Sequence, residues 1–486
     1  MPNEIELKLV LKQEDADVLE SWASRGAMPS KARQRSIYFD TPDHCLVKAG
    51  LSLRIRRSGR QRIQTVKFSG ANAAGLFDRS EWEREVIDDT PIVDDTTPIQ
   101  ALLGERVADL APVFEVHVER SAWNVHEGDA NIEFFIDRGD VVAAEGRRSP
   151  ICEVELELKN GDATALFVFA CTLDAEVPIR LGVMTKAERG YALIDTVTTV
   201  FKAERIALNP DLTAAHAFQH IVQTCLRHFR RNEDMLLTGP NPEALHQARV
   251  ALRRLRSAFS IFEALIIDDV SAQLDDELRW LANELGKARN LDVMLERAPP
   301  GELYDRLEAA RQLAYARVDE VLASTRVRRL MLNLAQWTAS GAWLAASSTT
   351  DIRDQRSREF ASAALDRFHH KVKKHGRDLA AAGDEGRHKV RREAKKLRYA
   401  AEFFTALFDR KRERRQYKHF VGVMEKLQEQ LGALNDRAAA GDVFTTLGVD
   451  NGPSAVALLF PDDKGKSLDT AESAHDALVD AKRFWR

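Results

Sequence analysis

Several features are scarce or missing in this sequence of 486 residues. It has no run of about 18 uncharged apolar residues, so no transmembrane helix is predicted. The N-terminal segment MPNEIELKLV carries acidic residues where a signal peptide needs a basic patch and an apolar run. The four cysteines are scattered and form no CxxC pair, which excludes a disulfide framework and zinc-finger spacing. We therefore expect a reduced, cytoplasmic protein.

The composition is ordinary overall but uneven along the chain. Hydrophobic residues make up 44% and charged residues 30%, which excludes a disordered or collagen-like chain. The first 200 residues contain 24 Lys and Arg against 34 Asp and Glu, whereas the remainder contains 47 against 41. This charge asymmetry predicts domains with different partners.

The pattern of the sequence changes near residue 205. Before it, short segments alternate apolar and polar residues, as strands with two different faces do. After it, apolar residues recur at helical spacing. We predict a strand-rich domain at 1–203, a linker at 204–212 and a helical domain at 213–486, which an internal repeat divides into about 213–345 and 355–486.

The repeat is carried by HQARVALRRLR at 246–256 and HKVRREAKKLR at 388–398. Each has basic residues three, seven, eight and ten positions after its histidine. Offsets of three, seven and ten share one helix face, which predicts two basic stripes. One stripe alone would favour a solvated helix face, but the repeated spacing favours a groove for a long polyanion. The stripes consist of His246, Arg249, Arg253, Arg256, His388, Arg391, Lys395 and Arg398.

Charged residues share single faces of three predicted strands. Alternation groups two glutamates and a lysine in EIELK at 4–8, three glutamates in ICEVELEL at 151–158 and two arginines in LSLRIR at 51–56. Solvated faces with cross-strand ion pairs are one interpretation. If the faces lined an interior, divalent metal ions would have to compensate the carboxylates and a polyanion the bases. Three such strands in one domain favour a metal-bound chain of phosphates.

The strand half resembles the CYTH domain of the triphosphate tunnel metalloenzymes over roughly 1–200. The resemblance lies in EIELK, LSLRIR and ICEVELEL, together with YFDTPD at 38–43, TVKFSG at 65–70 and TKAERGY at 185–191. It implies an eight-stranded antiparallel β tunnel or barrel. It also implies that triphosphate is hydrolysed or cyclised there with Mg²⁺ or Mn²⁺.

The resemblance further implies roles for individual residues. The metal ligands would be Glu4, Glu6, Asp137, Glu153 and Glu155, with Glu157 assisting. The phosphates would be held by Lys8, Arg54, Arg56, Lys67, Arg79, Arg120 and Lys186. The catalytic set would be Glu4, Glu6, Lys8 and Glu155, with metal-activated water attacking the terminal phosphorus. The resemblance leaves the roles of Glu81, Glu83 and Arg189 open.

The helical half resembles the CHAD domain, a histidine-containing helical domain often fused to CYTH, over about 211–486. Its landmarks are the two basic segments and LGKARNLDV at 285–293. The resemblance implies binding of inorganic polyphosphate to a basic central surface. The predicted fold class is therefore a multidomain α+β protein, with an eight-stranded antiparallel tunnel followed by an all-α domain of two pseudo-symmetric helical bundles.

The combined expectation is a metal-dependent inorganic triphosphatase, which hydrolyses tripolyphosphate to pyrophosphate and phosphate, joined to a polyphosphate-binding domain. The alternatives are a polyphosphate-binding or targeting protein with an inactive tunnel, a thiamine or nucleoside triphosphatase, or an adenylate cyclase. Nucleic acid is a disfavoured partner because aromatic residues are not interleaved with the basic stripes. No membrane partner is expected. Association with polyphosphate granules in the cytoplasm is left open.

Overall fold

The chain forms two compact units in the computed structural model, which describes residues 3–68, 74–194, 200–379, 381–446 and 464–486. The first unit comprises Met1–Phe201 and Ser324–Ser340, and the second comprises Lys202–Ala323 and Gly341–Arg486. The predicted fold class, an antiparallel barrel followed by an all-helical region, is confirmed. The predicted domain limits stay a prediction, and the units add that Ser324–Ser340 lies with the strands. No helix in the described ranges is both long and apolar enough to cross a bilayer.

The first unit holds the strands and the helices that cover them. The strands are β1 (Asn3–Val10), β2 (Ser30–Asp40), β3 (Leu51–Ser58), β4 (Gln61–Phe68), β5 (Leu76–Glu85), β6 (Ala111–Glu127), β7 (Ala130–Ala143), β8 (Arg148–Asn160) and β9 (Arg180–Leu181). The helices are α1 (Gln13–Ala23), α2 (Cys45–Lys48), α3 (Pro98–Leu103), α4 (Thr164–Glu176), α5 (Lys186–Ile194) and α10 (Thr325–Ser340).

Antiparallel pairing closes eight of these strands into a barrel. Their order is β5-β4-β3-β2-β6-β7-β8-β1, and β1 also pairs with β5, where Glu4 lies opposite Arg79. On its other side β1 pairs with β8, where Lys8 lies opposite Glu155. The short strand β9 is added to β1 at Leu9. The closed pairing gives every strand one face toward the interior and one toward the outside.

The apolar strand faces point outward, and helices cover them. On β3, Leu51, Leu53 and Ile55 are buried in a cluster that includes Ile99 and Leu103 of α3. The alternating Arg54 and Arg56 line the internal cavity instead. A period-two pattern therefore buries hydrocarbon against the helices and turns charge inward.

The second unit is helical in its described residues. Its longer helices are α6 (Ala214–Leu236), α7 (Pro242–Ile261), α8 (Asp269–Leu295), α9 (Glu302–Ala323), α12 (Ser357–His375), α13 (Gly383–Phe404), α14 (Lys411–Thr446) and α15 (Lys464–Asp480). A short helix, α11 (Thr350–Arg353), precedes α12.

The internal repeat organises the aromatic core of the second unit. The two basic segments, which begin 142 positions apart, lie on α7 and α13. Phe218 and Phe262 also have counterparts 142 positions later, Phe360 and Phe404. Phe262 and its counterpart Phe404 have ring centroids 5.9 Å apart, so equivalent positions of the two copies meet in one core.

Gly139 on β7 allows a close approach between neighbouring strands, and its replacement by alanine should destabilise the barrel. A Cβ atom there would lie 1.9 Å from the carbonyl oxygen of His117 on β6, a distance that forces the backbone to move. Gly26, whose Cβ would meet only a backbone oxygen at 3.8 Å, provides the matched control. We expect thermal unfolding to show a loss of roughly 1–3 kcal/mol for Gly139→Ala and little change for Gly26→Ala. Equal effects would contradict this role of Gly139.

Candidate functional site

The barrel encloses a cavity of about 1090 Å³ whose lining is rich in charge. Every predicted phosphate ligand lines it: Lys8, Arg54, Arg56, Lys67, Arg79, Arg120 and Lys186. The predicted metal ligands divide into two groups. Glu4, Glu6 and Glu155 line the cavity, whereas Asp137 and Glu153 are fully buried beside it. Glu81, Glu83 and Glu157, whose roles were open or secondary, also line the cavity.

A carboxylate cluster of Asp137, Glu153 and Glu155, with oxygen atoms within 4.8 Å of one another, lies at one side of the cavity, which only Glu155 of the three lines. Lys186 Nζ lies 2.6 Å from Asp137 Oδ2, 2.6 Å from Glu153 Oε1 and 2.8 Å from Glu155 Oε1. Lys8 Nζ lies 3.1 Å from Glu153 Oε1 and also bonds Glu155. Burial opposes the charge of Lys186, but the three carboxylates outweigh it and raise its pKa above the ordinary range. The two ammonium groups therefore keep this buried cluster ionised.

A second group of acids lies where β1 meets β5 and β8. Lys67 Nζ is 2.6 Å from Glu4 Oε2, and Arg79 Nη2 is 2.9 Å from Glu6 Oε2. Burial alone would raise the pKa of Glu4, but the charges of Lys67 and Arg79 lower it to about 2. Glu157 lies opposite Glu6 in the strand pairing, and burial together with Glu4 and Glu6 raises its pKa. An additional cation here would favour the ionised form of Glu157.

The arginines of β3 face β8 across the barrel, since β3 is four strands from β8 in either direction. The repulsion of Arg54, followed by burial, lowers the pKa of Arg56. Glu83 offers Arg56 a contact at 3.4 Å. Burial opposes the charge of Arg54, but Tyr38 and Glu81 raise its pKa. This side of the tunnel therefore holds two adjacent guanidinium groups, and such a pair suits a phosphate anion.

Helix α5 begins with Lys186 and brings it to the carboxylate cluster. The backbone N–H of Thr185 donates to Glu188 Oε2 at 2.8 Å, and the N–H of Glu188 donates to Thr185 Oγ1 at 3.1 Å. This reciprocal pair is a capping box, which fixes the first turn of the helix. The first turn is the part of α5 that presents the Lys186 ammonium.

The other end of α5 is held by a buried hydrogen bond. Tyr191 Oη donates to Asp40 Oδ2 at 2.7 Å. The Asp40 carboxylate is fully buried and also accepts backbone N–H bonds from Thr41, Leu46 and Val47. The motifs YFDTPD and TKAERGY are thus bonded to each other, a contact that was not predicted. A carboxylate beside the apolar run IYF was the available signal.

Both basic stripes line one cavity of about 860 Å³ in the second unit. Six of the eight predicted residues contribute: Arg249, Arg253 and Arg256 from α7, and His388, Arg391 and Lys395 from α13. Arg398 instead donates to Glu402 at 2.7 Å and to Gln428 at 3.2 Å. His246 lies outside this lining, and burial and Arg289 lower its pKa, so it is neutral near pH 7.

Arg249 keeps its charge in this cavity despite being largely desolvated. Burial, Arg253 and Arg289 together lower its pKa to about 10, which still leaves the guanidinium protonated at neutral pH. Its Nη1 donates to the carbonyl oxygen of Ala282 at 2.7 Å. Clustered cations that lower one another's pKa favour a bound anion.

Comparison with known proteins gives matches for both halves. A family model of the CYTH domain matches residues 2–191, and one of the CHAD domain matches residues 220–445. A protein of Haemophilus influenzae described as an inorganic triphosphatase is 32% identical over 202 residues, which are 40% of this chain and 55% of that protein. The chain therefore spans about half the length of that relative.

Two further matches extend over other parts of the chain. A Mycobacterium tuberculosis protein described as uncharacterized is 32% identical over 404 residues, which cover 75% of each chain. The crystal structure of the CHAD domain from the plant Ricinus communis shares 30% identity, with a TM-score of 0.49, and covers 57% of this chain and 97% of that chain.

The Tyr191–Asp40 hydrogen bond should control how well Lys186 is buried. Tyr191→Phe removes the hydroxyl donor while Asp40 keeps its backbone donors. Tyr315→Phe, in the second unit, removes a similar bond to Asp292 at 3.0 Å. We expect each variant to lose about 1 kcal/mol of stability, but only Tyr191→Phe to increase acylation of Lys186 by an amine-reactive reagent, measured by mass spectrometry. Unchanged acylation in Tyr191→Phe would refute the anchoring role.

Proposed function

We propose that this chain, which belongs to the proteins that join a CYTH domain to a CHAD domain, is a metal-dependent inorganic triphosphatase. It would split tripolyphosphate into pyrophosphate and phosphate in the tunnel of the first unit. The observation that carries this proposal is one cavity in which Arg54 and Arg56 of β3 lie across the barrel from Glu155 and Glu157 of β8. We also propose that the protein is located in the cytoplasm.

A divalent cation fits the oxygen atoms of this tunnel. Glu153 Oε2 is buried and accepts no hydrogen bond within the described part of the chain, and the buried Glu6 Oε1 has only the Lys8 ammonium nearby, at 3.2 Å. Carboxylate oxygens are the ligands that Mg²⁺ and Mn²⁺ prefer. We propose that the cation is held within the predicted set, Glu4, Glu6, Asp137, Glu153 and Glu155. When bound, it supplies charge neutralisation at the phosphates and lowers the pKa of water.

The charge balance of the tunnel supports the need for such a cation. Nine bases line the interior: the seven predicted phosphate ligands, Arg84 and Lys159. Seven acids line it as well, Glu4, Glu6, Glu81, Glu83, Glu133, Glu155 and Glu157, and the buried Asp137 and Glu153 bring the acids to nine. With all of them ionised the set is close to neutral. A nearly neutral tunnel does not attract a polyanion strongly, so binding of triphosphate requires added positive charge.

The chain's own residues would bind and orient the substrate. Arg54 and Arg56 would hold phosphate oxygens on the β3 side, and Arg120 and Lys8 would hold them near β8. As water attacks the terminal phosphorus, the bond from that phosphorus to the bridging oxygen breaks. The fixed cations would stabilise charge on the transferred phosphoryl group and on the leaving pyrophosphate. No histidine or serine nucleophile is required.

For the second unit we propose binding of long-chain inorganic polyphosphate in the cavity between α7, α8 and α13. Six basic side chains from the two repeat copies line it, and a linear polyanion can contact several at once. Acidic residues are also present, since Arg256 Nε lies 3.2 Å from Asp275 Oδ1. Binding would therefore replace part of an existing ion-pair network.

Replacement of Glu6 by glutamine should abolish turnover of tripolyphosphate, because it removes a carboxylate from the proposed metal ligands. Glu119→Gln serves as the matched control, since Glu119 is an exposed carboxylate that pairs with Arg33 on another face of the barrel strands. We expect phosphate release to fall at least about 100-fold in Glu6→Gln, to stay near wild type in Glu119→Gln, and to require Mg²⁺ or Mn²⁺.

Parallel assays with ATP, thiamine triphosphate and long-chain polyphosphate distinguish the alternative substrates. Release from tripolyphosphate in preference to the others supports the proposal. Absence of turnover of any substrate by the wild type, with long polyphosphate still bound, would favour the binding protein with an inactive tunnel. Production of cyclic AMP from ATP would favour the cyclase.

Replacement of Arg253 by alanine should weaken polyphosphate binding and reduce its salt dependence. Arg253 lines the cavity, whereas Arg317 on α9 pairs with Glu320 and provides the matched control. We expect Arg253→Ala to lower affinity roughly tenfold and to reduce the slope of log affinity against log salt by about 1. Titration of labelled long-chain polyphosphate in EDTA measures both. Equal effects of the two substitutions would contradict the assignment of the cavity.

A further inference from the structure

Helix α10 belongs to the helical half of the sequence but to the strand-containing unit of the structure. It lies inside the region that the CHAD model matches, 220–445, yet Ser324–Ser340 is part of the first unit. It packs there on α4 and β9. Helix α10 therefore has neighbours outside the part of the sequence to which it belongs.

Helix α10 has an apolar face. Val327, Leu330 and Leu334 are buried on it. An apolar face of this kind requires a packing partner.

Two arginines add specificity to that face. Arg328 Nε donates to Asp174 Oδ1 at 2.6 Å, and Arg329 Nε donates to Asp174 Oδ2 at 3.0 Å. Asp174 lies in the last turn of α4, and its side chain is fully buried. The arginines thus fix the position of α10 on α4.

Asp174 also connects α10 to the strand that carries Lys8. Its Oδ1 accepts the backbone N–H of Ile179 at 3.3 Å, one residue before β9. Strand β9 pairs with β1 at Leu9, and the N–H of Gly182 donates to the carbonyl oxygen of Lys8 at 2.8 Å. Helix α10 itself packs on both α4 and β9. The path from α10 to the tunnel therefore passes through one buried carboxylate and one short strand.

We propose that α10 is a built-in brace of the tunnel, docked on α4 and β9 through Asp174, and that Arg328 acts as a positioning residue for Lys8. The expected effect of Arg328 on turnover rests on the triphosphatase function proposed above, whereas its expected effect on the backbone of β9 and β1 does not. The helical half of the sequence thereby contributes a structural part of the catalytic tunnel.

The test compares Arg328→Met with Arg311→Met in the full chain. Arg311 is a matched control because it also bonds a buried aspartate on another helix, with Nε 2.8 Å from Asp292 Oδ1, but in the second unit. Hydrogen–deuterium exchange followed by mass spectrometry reports on the backbone of residues 3–10 and 177–183. We expect exchange there to rise roughly tenfold in Arg328→Met and to stay at the wild-type level in Arg311→Met.

Steady-state kinetics with tripolyphosphate gives the second readout. We expect Arg328→Met to lower kcat roughly tenfold with little change in KM, since a displaced Lys8 loses contacts made in the transition state. Binding of long-chain polyphosphate should be unchanged. If Arg328→Met does not fold, Arg329→Met, which removes the more exposed partner of Asp174, provides the same comparison at lower cost to stability.

Unchanged exchange in both segments would overturn the proposal, whatever the kinetics show. Increased exchange in both segments with unchanged kcat would overturn the positioning role of Arg328. A wild-type protein without triphosphatase activity would refute the proposed function. In that event, local exchange in Arg328→Met would still decide whether α10 braces the barrel.

Discussion

The buried carboxylates of β8 depend on two lysines, and much of the first unit is arranged so that these lysines reach them. Lys8 comes from the adjacent strand β1, whereas Lys186 comes from α5, which follows β9. Burial opposes ionisation of Glu153, but Lys186 and Lys8 outweigh it and lower its pKa. A buried carboxylate without such partners would destabilise the fold by several kcal/mol. Closure of the barrel and anchoring of α5 are therefore conditions for an ionised site.

This arrangement also couples the two ligands of the proposed reaction. In the described residues the cations of the tunnel are largely engaged by carboxylates, as Lys67 is by Glu4 at 2.6 Å. A phosphate chain that enters must compete for those cations, and the carboxylates it releases then need new compensation. A divalent cation provides that compensation. Binding of the metal and binding of triphosphate would each strengthen the other. Neither ligand has to contact every residue whose ion-pair partner changes.

Strand alternation predicted the charged faces of β1, β3 and β8, which line the tunnel, whereas the family resemblance supplied the full set of bases. A register shift of one residue would turn the whole charged face of a strand outward. Once helices cover the apolar face, the charged face must therefore point into the barrel. Alternation could not predict which acid meets which base. Lys186 reaches Asp137 only because α5 folds back onto β7, and Asp40 meets Tyr191 across 151 positions. Such pairs depend on the path of the chain between strands, for which short motifs carry no signal.

Helix α10 shows that position in the sequence and position in the fold can differ. It lies in the helical half of the sequence, yet it packs on α4 and β9 of the strand-containing unit. A helix with an apolar stripe needs a partner that covers it. The spacing of Val327, Leu330 and Leu334 indicates such a stripe but carries no signal for the partner. Arg328 meets Asp174 across 154 positions, so only the path of the chain decides which unit the helix joins.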